Sequence, residues 1–357
     1  MPSLFYNIIA MDRIQFTDCE PIFLVGTGRS GTTLLQLLLN AHPRIAVWGE
    51  IHYFDQILQI KKWVPTISRL EDLKRFFAFV KRTEHYQHLP YAENVFKSVN
   101  KRLIAENNRT YEKFYRIALE EYAKSQGKLR FGDKTPYNIL YLEEISQLFP
   151  KCKIIHIKRD PRDVVASYIK LPAASKDVII HSLAWKCFIT SWKNYLAITP
   201  VTNNYLELAY EDLVGNPKQE LKRICEFIGE SYNREMLHFH KTSDRYIKNE
   251  PWKAGVLRPI NRNSIGNGTR ELTATKIFIT EKLTGALLSS SGYRRTQSQL
   301  KTKLLSPIVF FGEIAKYISH RYIRTKSHGQ ADDGIIRSNR SKFYSILFKS
   351  ILKLTCY

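Results

Sequence analysis

PIFLVGTGRSGTTLLQLLLNAHPRIAVWGE, residues 21–50, holds the pattern from which the fold follows. A short apolar run, Ile22 to Val25, stops at Gly26, and a leucine-rich run begins at Leu34. The spacing predicts a buried strand, a tight loop and a helix. The loop, Gly26 to Thr33, has the frame of a phosphate-binding loop: a glycine, four residues and a second glycine. A nucleotide-binding loop then carries Lys and Ser/Thr; here those positions are Thr32 and Thr33. The cation has moved inside the loop, to Arg29. What stays is an anion cradle made of backbone N–H groups freed by Gly28 and Gly31, the positive end of a helix dipole, and the Ser30, Thr32 and Thr33 hydroxyls. Such a loop suits a phosphate-like group without calling for Mg²⁺. The plainer alternative, an ordinary glycine-rich turn, is disfavoured by Arg-Ser-Gly-Thr-Thr directly after a buried strand.

The segment GTGRSGTTLLQLLLNAHP resembles the 5′-phosphosulfate-binding loop of sulfotransferases that use 3′-phosphoadenosine 5′-phosphosulfate (PAPS). It is most similar to the branch containing tyrosylprotein sulfotransferases and many bacterial members. The resemblance runs, with gaps, from about Pro21 to about Tyr293. It implies a loop that holds the 5′-phosphate and the transferring sulfonyl group, with PAPS as co-substrate and no metal.

At 357 residues and 44% hydrophobic, the chain has enough apolar content for one large α/β domain or two modest ones, and too much for wholesale disorder. Lys plus Arg number 55 against 33 Asp plus Glu, a formal charge of +22 that favours polyanionic partners. Nucleic acid is disfavoured among them, because no zinc-finger spacing, RNP-type aromatic motif or heptad-plus-basic region is present. Five scattered cysteines without a C-x-x-C pair fit a reducing compartment rather than a disulfide framework or zinc site. The first residues lack the pattern of a cleaved signal peptide, and no apolar run reaches transmembrane length, so the expected location is cytoplasmic, soluble or peripheral to a membrane.

Along the chain the expected helix from Thr33 to about Ala41 is apolar nearly all round and stops at His42-Pro43; Ile45 to Val47 follow as a second strand. Residues 52–126 read as a basic, amphipathic helical insertion whose aromatics (among them Tyr53, Phe54, Phe76, Phe77, Tyr111 and Tyr115) either build a substrate wall or pack on the sheet. Strands are expected at Leu129 to Asp133, Lys153 to Ile157 and Tyr205 to Leu208, with helices between, including Ile139 to Leu148. The fold class is therefore α/β: a P-loop-like parallel sheet flanked by helices, with a helical insertion and a basic helical C-terminal extension. The expected domain covers residues 1–295 and the extension 296–357. Residues 301–357 carry eleven Lys/Arg against three acids, and Phe343, Ile346, Leu347, Ile351 and Leu354 share one helical face. A basic amphipathic helix of this kind fits an anionic membrane surface, its own domain or a partner subunit alike.

After the strand Lys153 to Ile157 comes KRDPRDVVAS, residues 158–167, where Asp160 suits an N-cap and Pro161 the first helical position. Arg159 then lies at a strand's C-terminal edge, where open α/β sheets bind ligands. The resemblance implies that Arg159 and Ser167 hold the donor's 3′-phosphate, and a guanidinium fork with a hydroxyl at a helix N-terminus suits a dianion. It also implies catalytic roles for Lys134, in the loop GDKTP, and for Arg29 as charge stabilisers, and for Glu50 as base. Other branches use a histidine as base, and His52 stands two residues on. The plainer alternatives are a solvated loop lysine at 134 and a Glu50–Arg29 ion pair. Trp252 near adenine and Lys253 or Arg262 near phosphate are expected in a loop that covers the nucleotide. Tyr210-Glu-Asp-Leu213 reads as a structural loop.

The function expected is sulfonyl transfer to an acceptor hydroxyl on a glycan, glycolipid or other metabolite. Two alternatives stand beside it: a metal-dependent nucleotide kinase, disfavoured by the absent loop lysine, and a non-catalytic anion-binding or membrane-tethering module.

Overall fold

The computed structural model describes residues 19–296 except 84, 85, 87, 88, 90, 173, 200–203, 242–254 and 256. The basic C-terminal extension, Trp252 and Lys253 lie outside the described residues. Five parallel strands form one sheet in the order β2-β3-β1-β4-β5, with β1 Ile22–Gly26, β2 Ile45–Gly49, β3 Arg130–Lys134, β4 Lys153–Lys158 and β5 Tyr205–Ala209. Parallel strands need crossover connections, and covering both faces with helices makes the central strands continuously apolar. In β1, Phe23 and Val25 face one core, shared with Trp48 and Tyr115, while Ile22 and Leu24 face the other, shared with Leu35 and Leu38. The result is three layers, helix on sheet on helix.

α1 (Thr32–Asn40) starts at Gly31 and buries Leu35, Leu37, Leu38 and Leu39 against the sheet, within a residue of the expected bounds. Each fully buried leucine contributes about 1.5–3 kcal/mol. The insertion is helical: a 3₁₀ turn at Ile57–Lys62, then α2 (Leu70–Arg82), α3 (Ala92–Ala105) and α4 (Tyr111–Ser125). Its aromatics resolve toward packing. Tyr53, Phe54, Phe76, Phe77, Tyr111 and Tyr115 are all buried in one core, with the Tyr53 and Tyr115 rings stacked at 4.0 Å.

The helix expected over Ile139 to Leu148 is split into a 3₁₀ turn, Pro136–Leu140, and α5 (Leu142–Leu148). The cause is the buried Asp133: Thr135 Oγ1 and Asn138 Nδ2 both donate to its carboxylate, at 2.8 and 3.0 Å, which wraps the chain around it. The rest follows as α6 (Pro161–Ile169), α7 (Val178–Ile198), α8 (Tyr210–Gly215), α9 (Pro217–Ile228), a 3₁₀ segment Arg234–Lys241, α10 (Asn267–Glu271), α11 (Ala274–Thr284) and α12 (Ala286–Ser290). α8 replaces the loop expected at Tyr210. Among the described residues no helix is long and apolar enough to cross a membrane.

Because β1 leads to β2 past β3, and β4 leads outward to β5, the loops after β1 and β4 depart in opposite directions. They leave a crevice at the C-terminal edge of the sheet between those two strands.

Candidate active site

Arg29 (φ 70°) and Gly31 (φ 96°) are both left-handed, so the loop after β1 curls its amides toward α1's N-terminus. Two glycines are needed for contact. A Cβ at Gly28 would stand 2.1 Å from the Tyr168 hydroxyl, and one at Gly31 would stand 2.5 Å from Tyr210 Cδ2. Ser30 is fully buried, and its Oγ has no hydrogen-bond partner among the described residues.

The second loop meets the first directly. Asp160 caps α6 by accepting from the Arg162 N–H at 2.9 Å, with Pro161 at the first helical position. Ser167, two turns along α6, accepts a hydrogen bond from Arg29 Nε at 3.0 Å. Arg159 Nη1 donates to the Arg29 carbonyl at 3.1 Å and Nη2 to the Ser264 carbonyl at 2.5 Å, while its Nε is buried without a partner among the described residues. Its guanidinium lies 4.4 Å from the Tyr210 ring centroid, a cation–π contact. Arg29, Gly31, Thr32, Thr33, Arg159 and Ser167 line one cavity of about 350 Å³. Arg258 to Asn261, with Asn263 and Ser264, form its far wall. That wall is tied down by Asp163, whose carboxylate accepts from the Gly266 and Gly268 amides at 2.9 and 2.6 Å.

Glu50 and Lys134 are brought together by strand register. Gly49 pairs with Lys134, and the Glu50 N–H donates to the Lys134 carbonyl at 2.8 Å, one step past the end of β2. The Lys134 ammonium, 2% exposed, bonds Glu50 Oε1. A solvated loop lysine is thereby excluded. The loop after β1 and this pair are neighbours through Tyr168: burial raises the pKa of its phenol, Tyr137 and Glu50 add to the rise, and Arg29 opposes it.

His52 stands behind Glu50. It is 5% exposed, with Nδ1 3.1 and 2.9 Å from the two Asp55 oxygens and Nε2 3.7 Å from Glu50 Oε2. Burial works to lower its pKa but is outweighed by the charge and hydrogen bond of Asp55 and by Glu50, which together raise it to about 10. An imidazolium has no lone pair to accept a proton, so the raised pKa of His52 disfavours it as a base beside Glu50.

Arg262, expected near phosphate, does not line this cavity: its Nη2 bonds the Gly215 carbonyl, at the end of α8. Arg258, from the same basic stretch, lines the cavity instead. Tyr210 is no bystander either, since it lines the cavity beneath Arg159. Asp55 had one local signal, its position three residues after a histidine; Asp163 and Ser264 had none.

A sequence profile of the sulfotransferase family matches residues 21–234. A Caenorhabditis briggsae protein named, provisionally, as a protein-tyrosine sulfotransferase is 27% identical over 228 residues, 62% of this chain and 69% of that protein. Protein-tyrosine sulfotransferase 2 of Gallus gallus is 24% identical over 261 residues, 68% of this chain and 62% of that protein. Among solved structures, the sulfotransferase domain of the Synechococcus PCC 7002 olefin synthase has the same fold. It is 22% identical with a TM-score of 0.51, and the match covers 83% of this chain and 98% of that one. With more than half of its length matched by the family profile and the parallel sheet in place, the chain belongs to the sulfotransferase family.

Proposed function

We propose that the chain transfers the sulfonyl group of PAPS to an acceptor hydroxyl, with Glu50 as base and without a metal. The observation that carries the reading is the convergence of two loops about 130 residues apart on one cavity, where Arg29 reaches Ser167 and Arg159 reaches the Arg29 carbonyl. Two buried polar atoms at that junction, Ser30 Oγ and Arg159 Nε, lack partners among the described residues, and phosphate oxygens would supply them. The loop amides and the Thr32 and Thr33 hydroxyls would hold the 5′-phosphosulfate, and Arg159 with Ser167 the 3′-phosphate. Trp252 and Lys253 remain the proposed contacts from the covering loop.

In the transfer, the acceptor oxygen forms a bond to sulfur while the bond from sulfur to the 5′-phosphate oxygen breaks, and 3′-phosphoadenosine 5′-phosphate leaves. The acceptor proton goes to Glu50. Negative charge grows on the departing oxygen, where Arg29 and Lys134 would offset it. The Lys134–Glu50 contact means the acceptor hydroxyl competes with Lys134 for the carboxylate as it enters. That exchange makes Lys134 available to the leaving side as Glu50 takes up the proton.

The acceptor proposed is a hydroxyl on a glycan, glycolipid or other metabolite; the names of the two relatives add peptide tyrosine to the acceptors to be tried. Calorimetry with 3′-phosphoadenosine 5′-phosphate and ³⁵S transfer from labelled PAPS, both without metal, test the reading. Donor-product binding in the micromolar range with label moving to an acceptor supports it. Turnover of ATP with Mg²⁺ in place of nucleotide binding without metal would sink it.

A further inference from the structure

Residues 50–55 show more construction than a lone base needs. Glu50 (φ 51°) and His52 (φ 54°) both take the left-handed conformation, which costs a residue other than glycine about 1–3 kcal/mol. The two reversals turn the chain after β2 so that the buried His52 ring comes to lie behind the Glu50 carboxylate. The His52 ring is fixed from one side by both Asp55 oxygens, and its backbone N–H lies 3.5 Å from Thr135 Oγ1, on the loop that presents Lys134. Thr135 in turn donates to the fully buried Asp133, which also accepts from the Tyr115 hydroxyl at 2.5 Å. A histidine with a purely structural task would need only the Asp55 contact, whereas here Nε2 faces Glu50 Oε2 at 3.7 Å while Lys134 holds Oε1.

We propose that His52, oriented by Asp55, is a positioning residue for Glu50: its Nε2–H and the Lys134 ammonium address the two oxygens of one carboxylate and fix its plane toward the acceptor. The inference rests on the reading of Glu50 as base. Its chemical consequence is that Glu50 stays anionic when the acceptor hydroxyl displaces Lys134, because a second cation remains beside it. Among the described residues, Asp55 and Glu50 on its own segment and Asp133 on β3 act on His52, Lys134 reaches it through Glu50, and the Tyr137 ring lies at 6.3 Å. The two nearest of these, Asp55 and Glu50, are both anionic and favour the charged ring.

The test begins on wild-type protein with ¹³C-labelled histidine rings and glutamate carboxyl groups, followed by NMR across pH. The His52 ring is expected to stay protonated through pH 8.5. In His52→Gln, the Glu50 carboxyl titration is expected to move up by about one pH unit, as loss of a nearby opposite charge requires. The acidic limb of kcat/KM for transfer from PAPS to 4-methylumbelliferone should move by the same amount, with calorimetric affinity for 3′-phosphoadenosine 5′-phosphate within twofold of wild type. Asp55→Asn leaves the ring in place and should bring its titration down toward neutrality, so the proposal stays open to test if His52→Gln does not fold. A wild-type ring that titrates near 6.5 overturns the proposal. So does a His52→Gln rate that falls uniformly with the acidic limb unmoved. Failure of wild type to bind 3′-phosphoadenosine 5′-phosphate would overturn the sulfotransferase reading instead, and the ring and carboxyl titrations would still decide the role of His52.

Discussion

Arg159→Ala tests the proposed donor cavity at a residue that ties its walls together. The side chain is 7% exposed and joins four groups: the Arg29 carbonyl at 3.1 Å, the Ser264 carbonyl at 2.5 Å, the Tyr210 ring at 4.4 Å and the Asp163 carboxylate at 3.6 Å. Truncation removes the guanidinium that would face the 3′-phosphate and loosens both loops that shape the cavity. A charge-assisted hydrogen bond contributes about 1.5–3 kcal/mol, so loss of a two-pronged phosphate contact should weaken binding by about 3 kcal/mol or more. That is roughly a 100-fold rise in Kd for 3′-phosphoadenosine 5′-phosphate. Arg159→Lys keeps the charge without the fork and should lose about tenfold. Titration calorimetry at 25 °C in 0.15 M salt, without metal, reads both, and circular dichroism melts confirm that the variants fold. An alanine variant within threefold of wild type would refute the assignment of Arg159 to the nucleotide.

Other perturbations separate the remaining parts of the site. Tyr210→Ala should weaken nucleotide binding by about 0.5–2 kcal/mol by removing the ring beneath Arg159, while Tyr210→Phe keeps that ring and should bind as wild type; equal losses in both would point to the hydroxyl instead. Lys134→Ala should lower kcat by about 10²–10³ with nucleotide affinity nearly unchanged, whereas a parallel loss of binding would make Lys134 a donor ligand. Asp163→Ala strands the Gly266 and Gly268 amides, and limited proteolysis should then cut within residues 255–268 faster than in wild type; an unchanged pattern would mean that wall is held elsewhere. His52 gives a pH-dependent stability. With a folded pKa of about 10 against 6.5 unfolded, its contribution is complete below pH 6.5 and is lost as pH rises toward 10. Urea unfolding of wild type and His52→Gln should therefore differ more at pH 6.5 than at pH 9.5, and a gap that widens with pH would contradict the charged ring.

What could be read from the sequence was whatever a local pattern encodes. The strand, loop and helix at 22–40 and the Asp160-Pro161 start of α6 are each encoded in one unbroken stretch of chain, and each lies within a residue of expectation. Glu50 and Lys134 were chosen by resemblance, yet the reason they meet is register: β2 and β3 are neighbours, and their last paired residues are Gly49 and Lys134. The residues that escaped notice depend on strand order. Tyr210 reaches Arg159 because β5 lies beside β4, with Lys158 opposite Ala209, so the two residues just past those strand ends must be adjacent. Asp163 carries no local signal because its partners, the Gly266 and Gly268 amides, are 103 and 105 residues away. Arg262 was misplaced for the same reason: a basic loop advertises its charge but not which arginine turns inward. In Arg258 and Arg262 the spacing of four residues is enough to put one on the cavity wall and the other on the Gly215 carbonyl. Local sequence thus specifies the loops after β1 and β4, while the order β2-β3-β1-β4-β5 determines which side chains close the space between them. A substitution that shifted β5 against β4 should accordingly impair nucleotide binding without touching either loop.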